Sequence, residues 1–244
     1  MNPELRKCFI DSIEYLRKMD FFQDYSNLTS EKILDKILSR EMDYETQWFV
    51  EKWPEEEQRK GRKEGRTHGQ ILKEWIEESR EHEEYWMKAS SFEVDLKMAS
   101  FDIKRVFVED PETVIEEGMC KMLLKKLSRI SRGVFNPSYI KEEILEWRGN
   151  PPPALKAVLG EWCHHVGCIF KVYFEFKGKE QMAEFYSDGD FLYMDPAIKM
   201  MNELIKDTGY QYYHIYDLDY ITYAVFSNDE AEKMTKRGWK IYLP

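Results

Sequence analysis

Before residue 149 the apolar positions of this chain recur mostly every three or four residues, and after residue 153 they tend to alternate. Leu5, Cys8, Phe9, Ser12, Ile13, Leu16 and Met19 fall on one stripe, which predicts an amphipathic helix at the start. Thr29 or Ser30 caps a second, with Ile33, Leu34, Ile37 and Leu38 as its buried face. A third apolar group, Met42, Tyr44, Trp48, Phe49 and Trp53, stops at Pro54, and Ile71, Leu72, Trp75, Ile76, Ser79, His82 and Trp86 mark one face of a further helix. Between these, Glu55 to Gly69 is almost entirely charged or glycine and reads as a solvated segment. Residues 92 to 108 shift towards alternation, so a strand pair is predicted there in competition with a continued helix. Asp110-Pro111 and Asn136-Pro137 each resemble an N-cap followed by proline at the first helical position. They predict one helix running to Ile130 and another carrying Ile140, Ile144 and Trp147.

Gly149-Asn150-Pro151-Pro152-Pro153 interrupts this pattern. Three prolines in succession donate no backbone hydrogen bonds, and neither a helix nor a central strand runs through them. The expected division is therefore a mainly helical part, 1–148, and an α+β part, 154–244. In the second, Leu155, Val158, Leu159 and Trp162 suggest a short helix, and Cys168, Phe170, Val172, Phe174 and Phe176 fall on one face of a strand. Lys177-Gly178 turns that strand back into Gln181 to Tyr186. Asp195-Pro196 opens a helix closed by Gly209, and strands Tyr210 to Tyr216 and Tyr220 to Phe226 turn at Asp217-Leu218-Asp219. Ser227 and Glu230 form a capping box for a last helix, and Trp239 to Leu243 makes a final strand. The fold class is α+β, with the C-terminal order α-β-β-α-β-β-α-β around one small antiparallel or mixed sheet, and with the helical part packed on it.

Composition adds two constraints. Aromatic residues make up 15% of the chain, so large rings carry much of the core. The net charge of −10 disfavours general binding to nucleic acid or to anionic membrane and favours a basic partner. No charged n-region followed by an apolar stretch opens the sequence, and no apolar run is long enough to span a bilayer. The expectation is a cytoplasmic protein with reduced thiols.

Motif chemistry is sparse: there is no phosphate loop, dinucleotide fingerprint or nucleophile elbow. Cys163, His164, His165 and Cys168 are residue types that bind zinc, but their spacing lacks the two separated ligand pairs of a structural site. Asp188 and Asp190, and again Asp217 and Asp219, pair carboxylates at predicted strand ends, where they could hold magnesium and orient a phosphate. Aspartate is equally a favoured turn residue. His82 between Trp75 and Trp86 reads as a core histidine, and the basic run Arg59 to Arg66 is offset by Glu55, Glu56 and Glu57.

The densest unusual feature is tyrosine: Tyr210, Tyr212, Tyr213, Tyr216, Tyr220 and Tyr223. Strand alternation sends rings to both faces, and an exposed tyrosine suits an interface. The leading expectation is a non-enzymatic cytosolic interaction protein that binds a basic protein partner, with no cofactor. Its acidic, tyrosine-rich surface would carry Tyr213, Tyr216, Tyr220, Tyr223, Asp217 and Asp219. In general character the small acidic α+β part is similar to bacterial immunity and antitoxin-like proteins, a likeness of fold and charge. The alternative is a metal-dependent hydrolase or transferase acting on a phosphate-containing substrate.

Overall fold

The computed structural model describes residues 2–39, 86–109, 117–148, 166–187, 191–216 and 221–244. The chain divides into two compact units, Met1–Ile103 and Lys104–Pro244.

The first unit is helical where described. Helix α1 (Pro3–Arg17) starts with proline at its first position, and the Asn2 side chain accepts the Glu4 amide at 2.8 Å. Leu5, Phe9, Ser12, Ile13 and Leu16 are fully buried along the expected stripe, whereas Cys8 is exposed. Helix α2 (Ser30–Leu38) is capped by the Thr29 hydroxyl, as its sequence predicts. Helix α3 (Ser91–Ala99) overturns the first half of the strand pair expected over 92–108. Ser90 and Glu93 form a reciprocal capping box that satisfies two otherwise unpaired amides, and Phe92, Val94, Met98 and Ala99 turn inward. α1 lies against both α2 and α3.

The second unit contains two four-stranded antiparallel sheets instead of the single sheet expected. Its elements are β1 (Val106–Glu109), α4 (Met119–Ile130), β2 (Ser138–Arg148), β3 (Val166–Phe176), β4 (Lys179–Ser187), β5 (Leu192–Tyr193) and α5 (Asp195–Ile205), followed by β6 (Tyr210–Tyr216), β7 (Ile221–Ser227), α6 (Asn228–Lys236) and β8 (Ile241–Tyr242). The first sheet runs β1-β7-β6-β8 and the second β2-β3-β4-β5.

Two corrections follow from the pairing. The segment after Asn136-Pro137 is strand β2 and not a helix, because a continuous register from Lys141 against Tyr173 to Arg148 against Val166 ties it to β3. Backbone pairing with a distant strand here outweighs local helix preference. The boundary between units consequently falls at Ile103/Lys104 and not at the prolines, since strands on both sides of residues 149–153 belong to one sheet.

The β3–β4 hairpin turns at Lys177 (φ 51°) and Gly178 (φ 71°). Positive φ at both positions matches the right-handed twist of the strands, and glycine takes it without steric cost. Phe170, Val172, Phe174 and Phe176 line the inner face of this sheet beside Ala183 and Phe185. Phe135, just after α4, joins the two sheets: its ring lies 5.6 Å from Phe174, 5.3 Å from Phe176 and 6.4 Å from Tyr212 of the first sheet. Helix α5 lies against β4 of one sheet and β6 of the other. The helices expected around Met42 to Trp53, from Ile71, from Asp110-Pro111 and over Leu155 to Trp162 fall on residues outside those described, although Trp86 and the body of α4 are seen.

Candidate functional site

Two of the hairpin tyrosines expected on a recognition face, Tyr213 and Tyr223, are buried. Tyr213 is 8% exposed, Tyr223 1% and Tyr212 0%, while Tyr216 at the strand end is 47% exposed. Elements pack on both sides of the first sheet and each buried hydroxyl finds a partner. Tyr212 donates to the Leu127 carbonyl of α4 at 2.9 Å, Tyr213 to the Asn228 side chain of α6 at 3.3 Å, and Tyr223 to the Asp195 carboxylate of α5 at 2.5 Å. Burial pushes all three phenols up from their ordinary range, most strongly at Tyr212 and Tyr223. Tyr220, Asp217 and Asp219 lie outside the described residues.

At one end of this sheet four side chains from four elements converge. Asp195 occupies the first turn of α5, His214 sits on β6, Tyr223 opposite it on β7, and Tyr242 opposite it on β8. The His214 ring lies between those of Tyr223 and Tyr242, with centroids 4.9 and 4.7 Å away. Its Nδ1 shares a 2.5 Å hydrogen bond with the Tyr242 hydroxyl and stands 3.7 Å from the Asp195 carboxylate. Burial lowers the His214 pKa from its ordinary value, and the Asp195 charge opposes this in part. The result is a chain of polar contacts running Tyr223–Asp195–His214–Tyr242, partly open to solvent, with His214 19% and Asp195 29% exposed. No serine or cysteine stands within the group.

The second surface of interest is the outer face of the second sheet. Register places Lys141, Glu143 and Leu145 of β2, Ile169, Lys171, Tyr173 and Glu175 of β3, and Glu180, Met182, Glu184 and Tyr186 of β4 on it. Of these only Tyr186 is buried. Tyr173 donates to Glu143 across the strands at 3.0 Å, Tyr186 donates to Glu184, and Lys171 approaches Glu184 at 4.0 Å. The Glu143 carboxylate raises the Tyr173 phenol pKa; at Tyr186 burial does so first and Glu184 second. Four glutamates against two lysines leave the face acidic.

Of the metal candidates, Asp188, Asp190, Cys163, His164 and His165 lie outside the described residues. Cys168 is half-buried at the start of the apolar face of β3, and burial, then the nearby Glu146, push its thiol up. Among the described residues no group of three or more His, Cys, Asp or Glu side chains is placed to hold a metal ion, and no helix is long and apolar enough to cross a membrane.

His214 and Tyr242 were not legible as site residues. A turn at Asp217-Leu218-Asp219 sets His214 opposite Thr222, whereas the observed register sets it opposite Tyr223. A one-residue slip exchanges the two faces of a strand. The strand preference of Trp239 to Leu243 is visible in sequence; its place beside β6 is not. No family model matches this chain, and neither a curated protein nor a solved structure gives a match to it.

Proposed function

We propose that this protein is a non-enzymatic interaction module that engages a basic protein partner through the outer face of its second sheet, in the cytosol. The observation that supports this reading is the combination on one strand-built surface of a half-buried tyrosine and an exposed methionine with an excess of glutamate. Tyr173 and Met182 offer apolar area at low conformational cost, and Glu143, Glu175, Glu180 and Glu184 supply a field that steers and orients a cationic partner. The acidic, tyrosine-bearing surface expected from the sequence thus moves from the β6–β7 hairpin to β2–β4. Tyr212, Tyr213 and Tyr223 of the hairpin serve the core.

A photo-crosslinking amino acid placed at position 173 tests this in the native cell, with position 232 on the exposed side of α6 as the control site. The expected result is a basic protein crosslinked from 173 and not from 232, lost in the Glu143→Lys/Glu184→Lys double variant. Tyr173→Ala is expected to weaken that partner's binding by about tenfold or more, as at an interface hot spot. Identical products from both positions, or capture that survives the charge reversal, overturns the reading.

A further inference from the structure

We propose that His214 is a proton-operated latch for the C-terminal strand: β8 stays docked on the edge of β6 while the ring is neutral and leaves that edge when the ring takes up a proton.

β8 is held by little. Its two residues pair with His214 and Ile215, and the Tyr216 amide donates to the Lys240 carbonyl at 2.8 Å. Immediately before it the chain is firmly anchored, because Trp239 is 2% exposed, packs edge-on against Phe226 at 6.3 Å and donates its amide to the Met234 carbonyl. Trp239 therefore marks a hinge, and the piece from Lys240 onward can open at small local cost. Within β8 itself the side-chain contact that closes onto β6 is Tyr242 on His214, through the 2.5 Å hydrogen bond and the stacked rings, with Lys240 just before it over the Tyr216 ring.

Protonation acts on that contact. The neutral ring can accept the Tyr242 hydroxyl proton at Nδ1. In the imidazolium Nδ1 is a donor only, and the strongest acceptor in reach is Asp195, 3.7 Å away. Among the described residues the groups facing the ring are Asp195 from α5, Tyr223 from β7 and Tyr242 from β8, with Tyr216 on its own strand and Lys240 5.8 Å from the Tyr216 ring. Asp195 and the π faces favour the cation, while burial disfavours it, and burial is the larger effect. Releasing β8 returns the charged ring to water.

The direction of the effect follows by linkage. The docked form has the lowered pKa, so it binds fewer protons than the released form. Docking is complete above the ordinary histidine value near 6.5. It weakens as pH falls through that value and levels off below the lowered docked value.

Amide hydrogen exchange on the full chain, followed by NMR at about pH 7.5 and about pH 5 and corrected for intrinsic rates, reads this directly. Protection of the Tyr242 amide, and of the Tyr216 amide that donates to Lys240, is expected to fall on the order of tenfold, with a midpoint that tracks the His214 ring signals, while β7 and Trp239 keep theirs. In His214→Gln, or in His214→Phe if the first variant folds poorly, protection should no longer depend on pH. Unchanged protection at the Tyr216 and Tyr242 amides while His214 titrates overturns the latch. So does the same fall in both variants, or a loss shared equally by β7, which would be acid unfolding of the whole unit.

Discussion

Thr222 and Tyr223 are neighbours on β7, face opposite sides of the first sheet and are both buried, yet their hydroxyls have opposite standing. Tyr223 donates to Asp195, whereas the Thr222 Oγ has no hydrogen-bond partner among the described residues. Truncating Tyr223→Ala removes a ring packed 6.3 Å from Phe107 and 4.9 Å from His214, and should cost about 3–5 kcal/mol in a urea melt. Thr222→Val keeps the shape and removes a desolvated hydroxyl. It should leave stability unchanged or raise it by up to about 1 kcal/mol, with the m-value unaltered. The identities of these residues are evident in sequence, but the fate of each hydroxyl is not, since Asp195 arrives from another element.

At the scale of elements, α4 shows how a cap can come from far away. Its N-cap is Gly118, which has no side chain to offer, and a carboxylate from the middle of β2 substitutes: Glu142 accepts the Gly118 amide at 2.5 Å and the Lys121 amide at 2.8 Å. Two orphan donors and the positive end of the helix are satisfied together. Glu142→Ala should cost about 1–2 kcal/mol and Glu142→Gln less, measured as a shift of the denaturation midpoint at constant m-value. A second long-range tie joins α4 to β1, where the Lys126 ammonium meets Glu109 at 3.0 Å with both side chains under a tenth exposed. Breaking it by Lys126→Met strands a buried carboxylate and should cost about 3–5 kcal/mol. Adding Glu109→Leu should recover much of that loss. The elements with self-contained signals were legible: α1, α2, the β3–β4 hairpin and α6 each start, stop or turn on residues within a few positions. β2 and α3 were not. The Ile140, Ile144 and Trp147 spacing of β2 also suits a helix, and the alternation in α3 also suits a strand.

For the whole molecule, the two sheets lie within Lys104–Pro244. A fragment beginning at Lys104 should fold cooperatively, by a single thermal transition and a dispersed NMR spectrum. One beginning at Ala154 loses β1, α4 and β2 and should not, because it uncovers the edges of β3 and β7 and removes α4, which lies against β1, β2 and β3. Independent folding of the shorter fragment would restore the proline segment as a domain boundary. By itself the sequence determined the α+β class, the caps of α2 and α6, the apolar stripe of α1 and the glycine turn at Gly178. All of these depend on residue type or on spacing within one or two turns of chain. Tertiary structure alone decided that β2 pairs with β3 across the prolines, that β1 pairs with β7, and that His214 lies between Tyr223 and Tyr242. It also decided that Tyr212, Tyr213 and Tyr223 are core while Tyr173 lies on the outer face of the second sheet. Sheet order and register depend on which distant strands can bury their faces together, and that choice leaves no trace in the periodicity of either strand alone.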